Sequence, residues 1–180
     1  MTGRPTLYLM VGLPGSGKTT RAKELEQETH AVRFTPDEWH IFLFGDDFGD
    51  NSPEARARHD QRHDRVEQLM WNVGQDLLRK GVSVILDFGF WAEEQREEKR
   101  REAQALGADF AMEFLDVPLP ELKRRIAQRN QAGQGDVFAT ITEEDLEEWY
   151  GLFQPPTPQE LHTSQVSLRS TCSAKNRLGV

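Results

Sequence analysis

The 180-residue chain carries 30 acidic and 22 basic side chains, a formal charge of −8, with 37% apolar and 9% aromatic residues. That is the size of one domain with a short extension, and enough apolar material for a core. No apolar run approaches the roughly 18 residues of a membrane span, and the acidic balance weighs against sequence-independent nucleic-acid binding. Met1–Leu13 is broken by glycines and makes a poor signal peptide. The single cysteine, Cys172, leaves no internal disulfide, which fits a reducing cytoplasm.

Leu7-Tyr8-Leu9-Met10-Val11 is a continuous apolar run, expected as a strand buried on both faces. It leads into Gly12-Leu13-Pro14-Gly15-Ser16-Gly17-Lys18-Thr19-Thr20 and then a charged helical pattern through Glu28. Ala31–Phe34 reads as a short second strand. Thr35-Pro36-Asp37-Glu38 reads as a helix start, with a capping threonine, proline at the first position and acids in the first turn. Phe48–Pro53 is a loop. A long helix is expected from Ser52 to Lys80, with Val66, Leu69, Met70, Val73 and Leu77 as its apolar stripe and Gly81 ending it. Val82–Asp87 is a further strand, ending in its only acid, and Trp91–Leu106 a helix closed by Gly107. Asp109–Val117 is another strand, Leu119–Asn130 a basic helix, Gln131–Asp136 a turn, and Thr142–Leu152 a helix. Strands alternating with helices predict an α/β fold, a parallel sheet with helices on both faces.

Residues 1–160 hold all 30 acids and 19 of the 22 bases, a balance of −11, whereas the last 20 residues carry +3. The expected division is a domain over 1–162 and a basic tail over 163–180, in which Gln165–Leu168 is the only candidate for a last strand.

Gly12-x-x-x-x-Gly17-Lys18-Thr19 matches the phosphate-loop pattern between a strand and a helix, the context it requires. Glycines let successive N–H groups turn inward, and the helix N-terminus adds positive potential for an anion. The nucleotide-binding set is therefore Gly12, Pro14, Gly15, Ser16, Gly17, Lys18, Thr19 and Thr20. Lys18 reaches the β- and γ-phosphates of ATP, and Thr19 offers a hydroxyl to Mg²⁺. Asp37, just past the second strand, lies at the carboxyl end of the sheet, where a carboxylate can take the proton of an attacking hydroxyl. Its other reading is a carboxylate favoured by the helix dipole. Asp87 stands where a second acid holds Mg²⁺, with a turn cap as the alternative. Arg125 and Arg129, four apart, share a helix face and suit a lid over phosphoryl charge, or simply a solvated basic face.

Taken together, the phosphate loop, Asp37, Asp87 and Leu122-x-x-Arg125-x-x-x-Arg129 resemble the small P-loop kinases of the polynucleotide-kinase type, ATP-binding proteins of the AAA-domain kind. That group is similar to chloramphenicol phosphotransferase and, more distantly, to the zeta-toxin kinases. The resemblance spans roughly Thr6–Glu160. It implies a P-loop NTPase fold of about five strands with a small helical lid over 119–136. It also implies Asp37 as general base, Lys18 and Thr19 as phosphate and magnesium contacts, and Arg125 with Arg129 as lid. Phe153-Gln154-Pro155-Pro156-Thr157-Pro158 resembles the proline-rich stretch that borders the adenine in such proteins.

The acceptor is expected between Asp37 and the long helix, where Arg56, Arg58, Arg62 and Arg65 crowd with His59 and His63. The two histidines are four apart, also a metal-binding spacing, but they come without a cysteine or a third ligand, so a solvated face is the expectation. Trp39, Phe42, Phe44, Phe48, Phe88, Phe90 and Trp91 are expected first as core and second as walls stacking on an acceptor. Three functions fit: an ATP-dependent kinase for a hydroxyl of a small molecule, a polynucleotide 5′-hydroxyl kinase, and a nucleotide-dependent regulatory module that hydrolyses ATP slowly.

Overall fold

The computed structural model describes residues 3–45, 52–131 and 141–163. In these, four strands form one parallel sheet in the order β2-β3-β1-β4: β1 (Thr6–Val11), β2 (Val32–Phe34), β3 (Val84–Gly89) and β4 (Asp109–Phe114). Strand β1 is central, and all six of its residues are buried. Side chains alternate across a strand. Leu7, Leu9 and Val11 therefore enter one core layer with Val84 and Leu86, while Tyr8 and Met10 enter the other with Ile85. Ala22 and Leu25 of helix α1 (Lys18–Thr29) cover the second layer. The first is covered by α3 (Pro53–Arg79) and α4 (Glu93–Ala105). A sheet covered on both faces explains why its strands read as continuous apolar runs.

The long helix keeps its expected limits, with Ser52 capping Ala55 N–H and Lys80 at the far end. Its buried face differs from the expected stripe. Val66 and Met70 are buried, but Trp71, Gly74 and Leu78 replace Leu69 and Val73, which are exposed. Gly74 lies on the buried face, where the helix backbone packs beside Val84, Trp71 and Phe34.

Helix α2 (Pro36–Phe44) follows β2, and α5 (Leu119–Gln131) follows β4. Then come α6 (Glu143–Leu152), capped by Thr142, and α7 (Pro158–Thr163). The sheet has four strands among the described residues, against about five expected. The candidate fifth strand Gln165–Leu168, the tail from 164, Phe48 and its loop, and the expected turn over 132–136 all lie outside them.

Candidate functional site

Strand β1 ends in a turn that only glycine fits. Gly12 has φ 149°, and a Cβ on it would meet Ser16 Oγ at 2.9 Å and the Leu115 carbonyl oxygen at 3.0 Å. Gly17, the residue before α1, has φ 98°. Both lie in the left-handed region where side chains are strained. Ser16 N–H donates to the Leu13 carbonyl at 3.1 Å and closes the loop, and Lys18 Nζ donates to the same carbonyl at 3.0 Å. Burial lowers the Lys18 pKa, and the charges of Asp87 and Asp37 oppose that shift. The first turn of α1 holds no acid, which leaves its positive end to an incoming anion. Pro14 is half-buried in the loop, and Thr20 is exposed on the first turn of α1.

Asp87 does not end its strand: β3 runs on through Phe88 and Gly89, and Asp87 is 5% exposed. Burial raises its pKa, opposed first by a hydrogen bond from Thr19 and then by the Lys18 charge. Thr35 Oγ1 donates to Asp87 Oδ2 at 3.3 Å and also accepts from Arg33. Thr35 thus stands at the head of α2 without capping it, contrary to the sequence expectation, because its hydroxyl is drawn to the neighbouring strand. Asp87 Oδ1 is buried with no hydrogen-bond partner. A hydroxyl and a carboxylate with an uncommitted oxygen, side by side, are a donor set suited to a hard divalent cation.

Asp37, in the first turn of α2, is held from α3: His63 Nε2 is 3.2 Å from Asp37 Oδ1, and His63 Nδ1 is 3.6 Å from Glu67 Oε1. Burial disfavours the His63 imidazolium, but the hydrogen bond to Asp37 and the charges of Glu67, Asp37 and Asp64 outweigh it and raise its pKa. The expected solvated face is therefore a contact face. His59 and His63 also pack at 4.3 and 5.9 Å between ring centres against His40, which is buried in α2. Arg62 lies over the Phe44 ring at 4.7 Å, and Arg56, Arg58 and Arg65 are exposed.

Glu67 also lines a cavity of about 490 Å³ between α3, the end of β3 and α4. Phe88, Phe90, Trp71 and Trp91 form its apolar walls. Of the aromatics expected as core, Phe90 is buried but belongs to this wall, and Phe42 on α2 is 89% exposed. Phe90 has φ 44°, an uncommon backbone state for a bulky residue and one that gathers where a site is held in place. Arg96 holds it there. Its side chain is 1% exposed, donates to the carbonyls of Phe90, Trp91 and Gln154 at 2.9–3.2 Å, and pairs with Glu160 at 2.8 and 3.2 Å. In the sequence Arg96 is one more base on a charged helix.

On the opposite side of the phosphate loop, Arg125 Nη1 donates to the Gly15 and Ser16 carbonyls, both at 3.3 Å, and Arg125 Nε pairs with Glu121 at 2.7 Å. Burial lowers the Arg129 pKa, and Asp37 is the acid whose charge opposes it. Lys123 and Arg124 turn away to Glu143, Glu147 and Glu121. A smaller cavity of about 160 Å³ lies beside the loop, bounded by Ser16, Leu115, Asp116, Tyr150, Phe153 and Pro155.

Glycine turn, lysine, helix end and nearby acids on a parallel sheet make this a protein of the P-loop nucleotide-binding class. It belongs to the AAA domain family, whose model matches residues 7–156. No curated protein matches the chain significantly. Among solved structures it is similar to a Chloroflexus aurantiacus protein assigned as a kinase, with TM-score 0.67 and 19% identity over 86% of this chain and 83% of that one. It is also similar to a chain of the Pnkp1/Rnl/Hen1 RNA repair complex, with TM-score 0.61 and 25% identity over 87% of this chain but 49% of the other. A third is Chaetomium thermophilum Kti12 in complex with ADP-AlF3, with TM-score 0.60 and 18% identity over 85% and 82%. The chain has the fold of these P-loop proteins, and among the described residues no helix is long and apolar enough to cross a membrane.

Proposed function

We propose that this protein is an ATP-dependent kinase that transfers the γ-phosphate to a hydroxyl group of a small molecule. The observation that carries this reading is Asp37. Its charge acts on Lys18, it is tied to His63, and through His63 and Glu67 it adjoins a cavity large enough for a metabolite. In this reading the triphosphate lies over the Gly12–Thr19 loop, with Lys18 against the β- and γ-phosphates. The base fits the 160 Å³ slot bounded by Phe153 and Pro155. Arg125 and Arg129 come from the first helix of a lid over 119–136, within a catalytic domain spanning 1–162. Asp37 accepts the proton as the acceptor oxygen bonds to the γ-phosphorus and the bond to ADP breaks, and Arg129 faces the charge that develops. Thr19 and Asp87 would hold Mg²⁺, which supplies charge neutralisation on the phosphate oxygens when bound.

Acceptor-dependent ADP release tests the reading, screened over sugars, nucleosides, antibiotics and oligonucleotide ends. Asp37→Asn should lower turnover by about 10²–10⁴-fold with ATP binding retained. Turnover unchanged in that variant would point to a slow hydrolase or regulatory module instead. The 25% identity to a chain of an RNA repair complex favours a 5′-hydroxyl nucleic-acid end as the second acceptor reading. Phosphate transfer from labelled ATP to a 5′-hydroxyl oligonucleotide tests it.

A further inference from the structure

The cavity beside Glu67 has a chemistry that the kinase reading leaves open. Three carboxylates line it, Asp64 and Glu67 from α3 and Glu98 from α4. Its one basic lining residue is Lys99, whose ammonium group is already held by Glu102 at 2.6 Å and lies over the Trp71 ring at 4.8 Å. The remaining wall is aromatic. Phe88 and Phe90 stack at 5.6 Å with planes 11° apart, and Trp91 continues that surface. Trp71 is 3% exposed, and its indole N–H is enclosed without a hydrogen-bond partner.

These features sort acceptors by charge. An anionic acceptor would meet three carboxylates with no uncommitted cation, and like charges at short range in a concave site cost affinity. A neutral polyol would leave the repulsion among the lining carboxylates unrelieved. A molecule carrying a protonated amine relieves that repulsion, and its charge is attracted by the aromatic wall. The proton affinity of Glu67 reflects the same crowding: burial first, then the charges of Asp64 and Asp37, push its pKa up to about 7. A bound ammonium group would favour its ionised form.

Resting on the kinase reading above, we infer that the acceptor is a cationic amino alcohol, of the size of a one- or two-ring amino sugar, held by Asp64, Glu67 and Glu98 against the aromatic wall. The reaction is unchanged in its balance: the acceptor hydroxyl gains the phosphoryl group, its proton goes to Asp37, and ADP leaves. The amine binds and orients and takes no part in bond making.

The test uses the full chain with four probes: neamine, fully N-acetylated neamine, gluconate and a 5′-hydroxyl trinucleotide. Each is measured for acceptor-dependent ADP release, and for calorimetric binding in the presence of a non-hydrolysable ATP analogue. The expected result is turnover with neamine at a kcat/KM at least about tenfold above each of the others, the scale of one charge-assisted contact. Asp64→Asn and Glu98→Gln, both at exposed positions where substitution leaves the fold intact, should each raise KM for neamine by about tenfold with kcat and the KM for ATP unchanged. If the acetylated sugar, gluconate or the trinucleotide serves as well as neamine, the inference is overturned while the kinase reading stands. If no probe supports turnover, the inference is overturned whether or not neamine binds, and ADP release with another acceptor in the wider screen would still uphold the kinase reading. Neamine turnover whose KM is indifferent to both variants overturns the assignment of Asp64 and Glu98.

Discussion

His63 Nε2 stands 3.2 Å from Asp37 Oδ1, which joins the first turn of α2 to the middle of the long helix α3. The side chain whose charge acts on Lys18 is thereby fixed in direction by a residue 26 positions away. Because Nδ1 of the same ring approaches Glu67, the imidazole is oriented at both nitrogens.

A positioning role for His63 makes a prediction distinct from that for the base itself. His63→Ala should lower kcat by about tenfold, well short of the 10²–10⁴-fold expected for loss of a general base. The KM for ATP should not move, and His63→Asn should recover part of the loss, since its amide can still donate to Asp37. The pH dependence of kcat should change in shape in His63→Ala, because the charges of His63 and Glu67 act on one another's titration. A structural role alone would lower the melting temperature and leave that profile intact.

The raised pKa of Glu67 makes stability depend on pH. In the folded chain the group titrates near 7, against 4.5 for an ordinary glutamate, so the fold binds its proton more tightly than the unfolded chain does. The contribution is therefore fully present below about pH 4.5 and is lost as pH rises through 7. With the Glu67 side chain 32% exposed, solvent screening leaves on the order of 1–2 kcal/mol. Glu67→Gln should match the parent's melting temperature at pH 4 and exceed it by roughly 2–6 °C at pH 8. A constant difference across that range would contradict the assignment.

Much of this arrangement was legible before any coordinates. Continuous apolar runs marked β1 and β3, since strands covered on both faces need no alternation. The phosphate loop followed from Gly12 to Thr19 because its backbone demands those residue types. Asp37, Asp87, Arg125 and Arg129 followed from order along the chain. His63 and Arg96 did not. Each sits among charged neighbours on a polar helix, a pattern that reads as solvated, and each finds its partners 26 or 64 positions away. Periodicity reports which face of a helix is apolar. It does not report which polar face a neighbouring element covers. The buried face of α3 is offset from the expected stripe for a related reason: Gly74 adds nothing to an apolar stripe, yet it lies on the buried face beside Val84.

Arg96 should be the most costly surface-patterned residue to remove. Arg96→Ala would leave three carbonyls without their donor and the Glu160 carboxylate without its bidentate partner. Breaking a buried pair in this way costs about 3–5 kcal/mol, and a fall of roughly 10 °C in melting temperature is expected. Arg96→Lys should recover only part, because an ammonium group cannot reproduce the planar fork. Calorimetry of the three proteins measures this directly.

The two arginines of α5 should fail in different ways. Arg125 holds the Gly15 and Ser16 carbonyls, so it fixes the loop from outside before any nucleotide arrives. Arg125→Ala should therefore weaken ATP binding and lower the melting temperature as well as slow turnover. Arg129 instead feels the charge of Asp37, beside which phosphoryl charge would develop in the kinase reading. Arg129→Ala should lower kcat by about 10²–10³-fold, the scale for loss of one donor to a charged transition state, with ATP affinity little changed. Equilibrium nucleotide titration alongside steady-state kinetics separates the two. Equal losses of affinity in both variants would show that α5 acts only as a loop support.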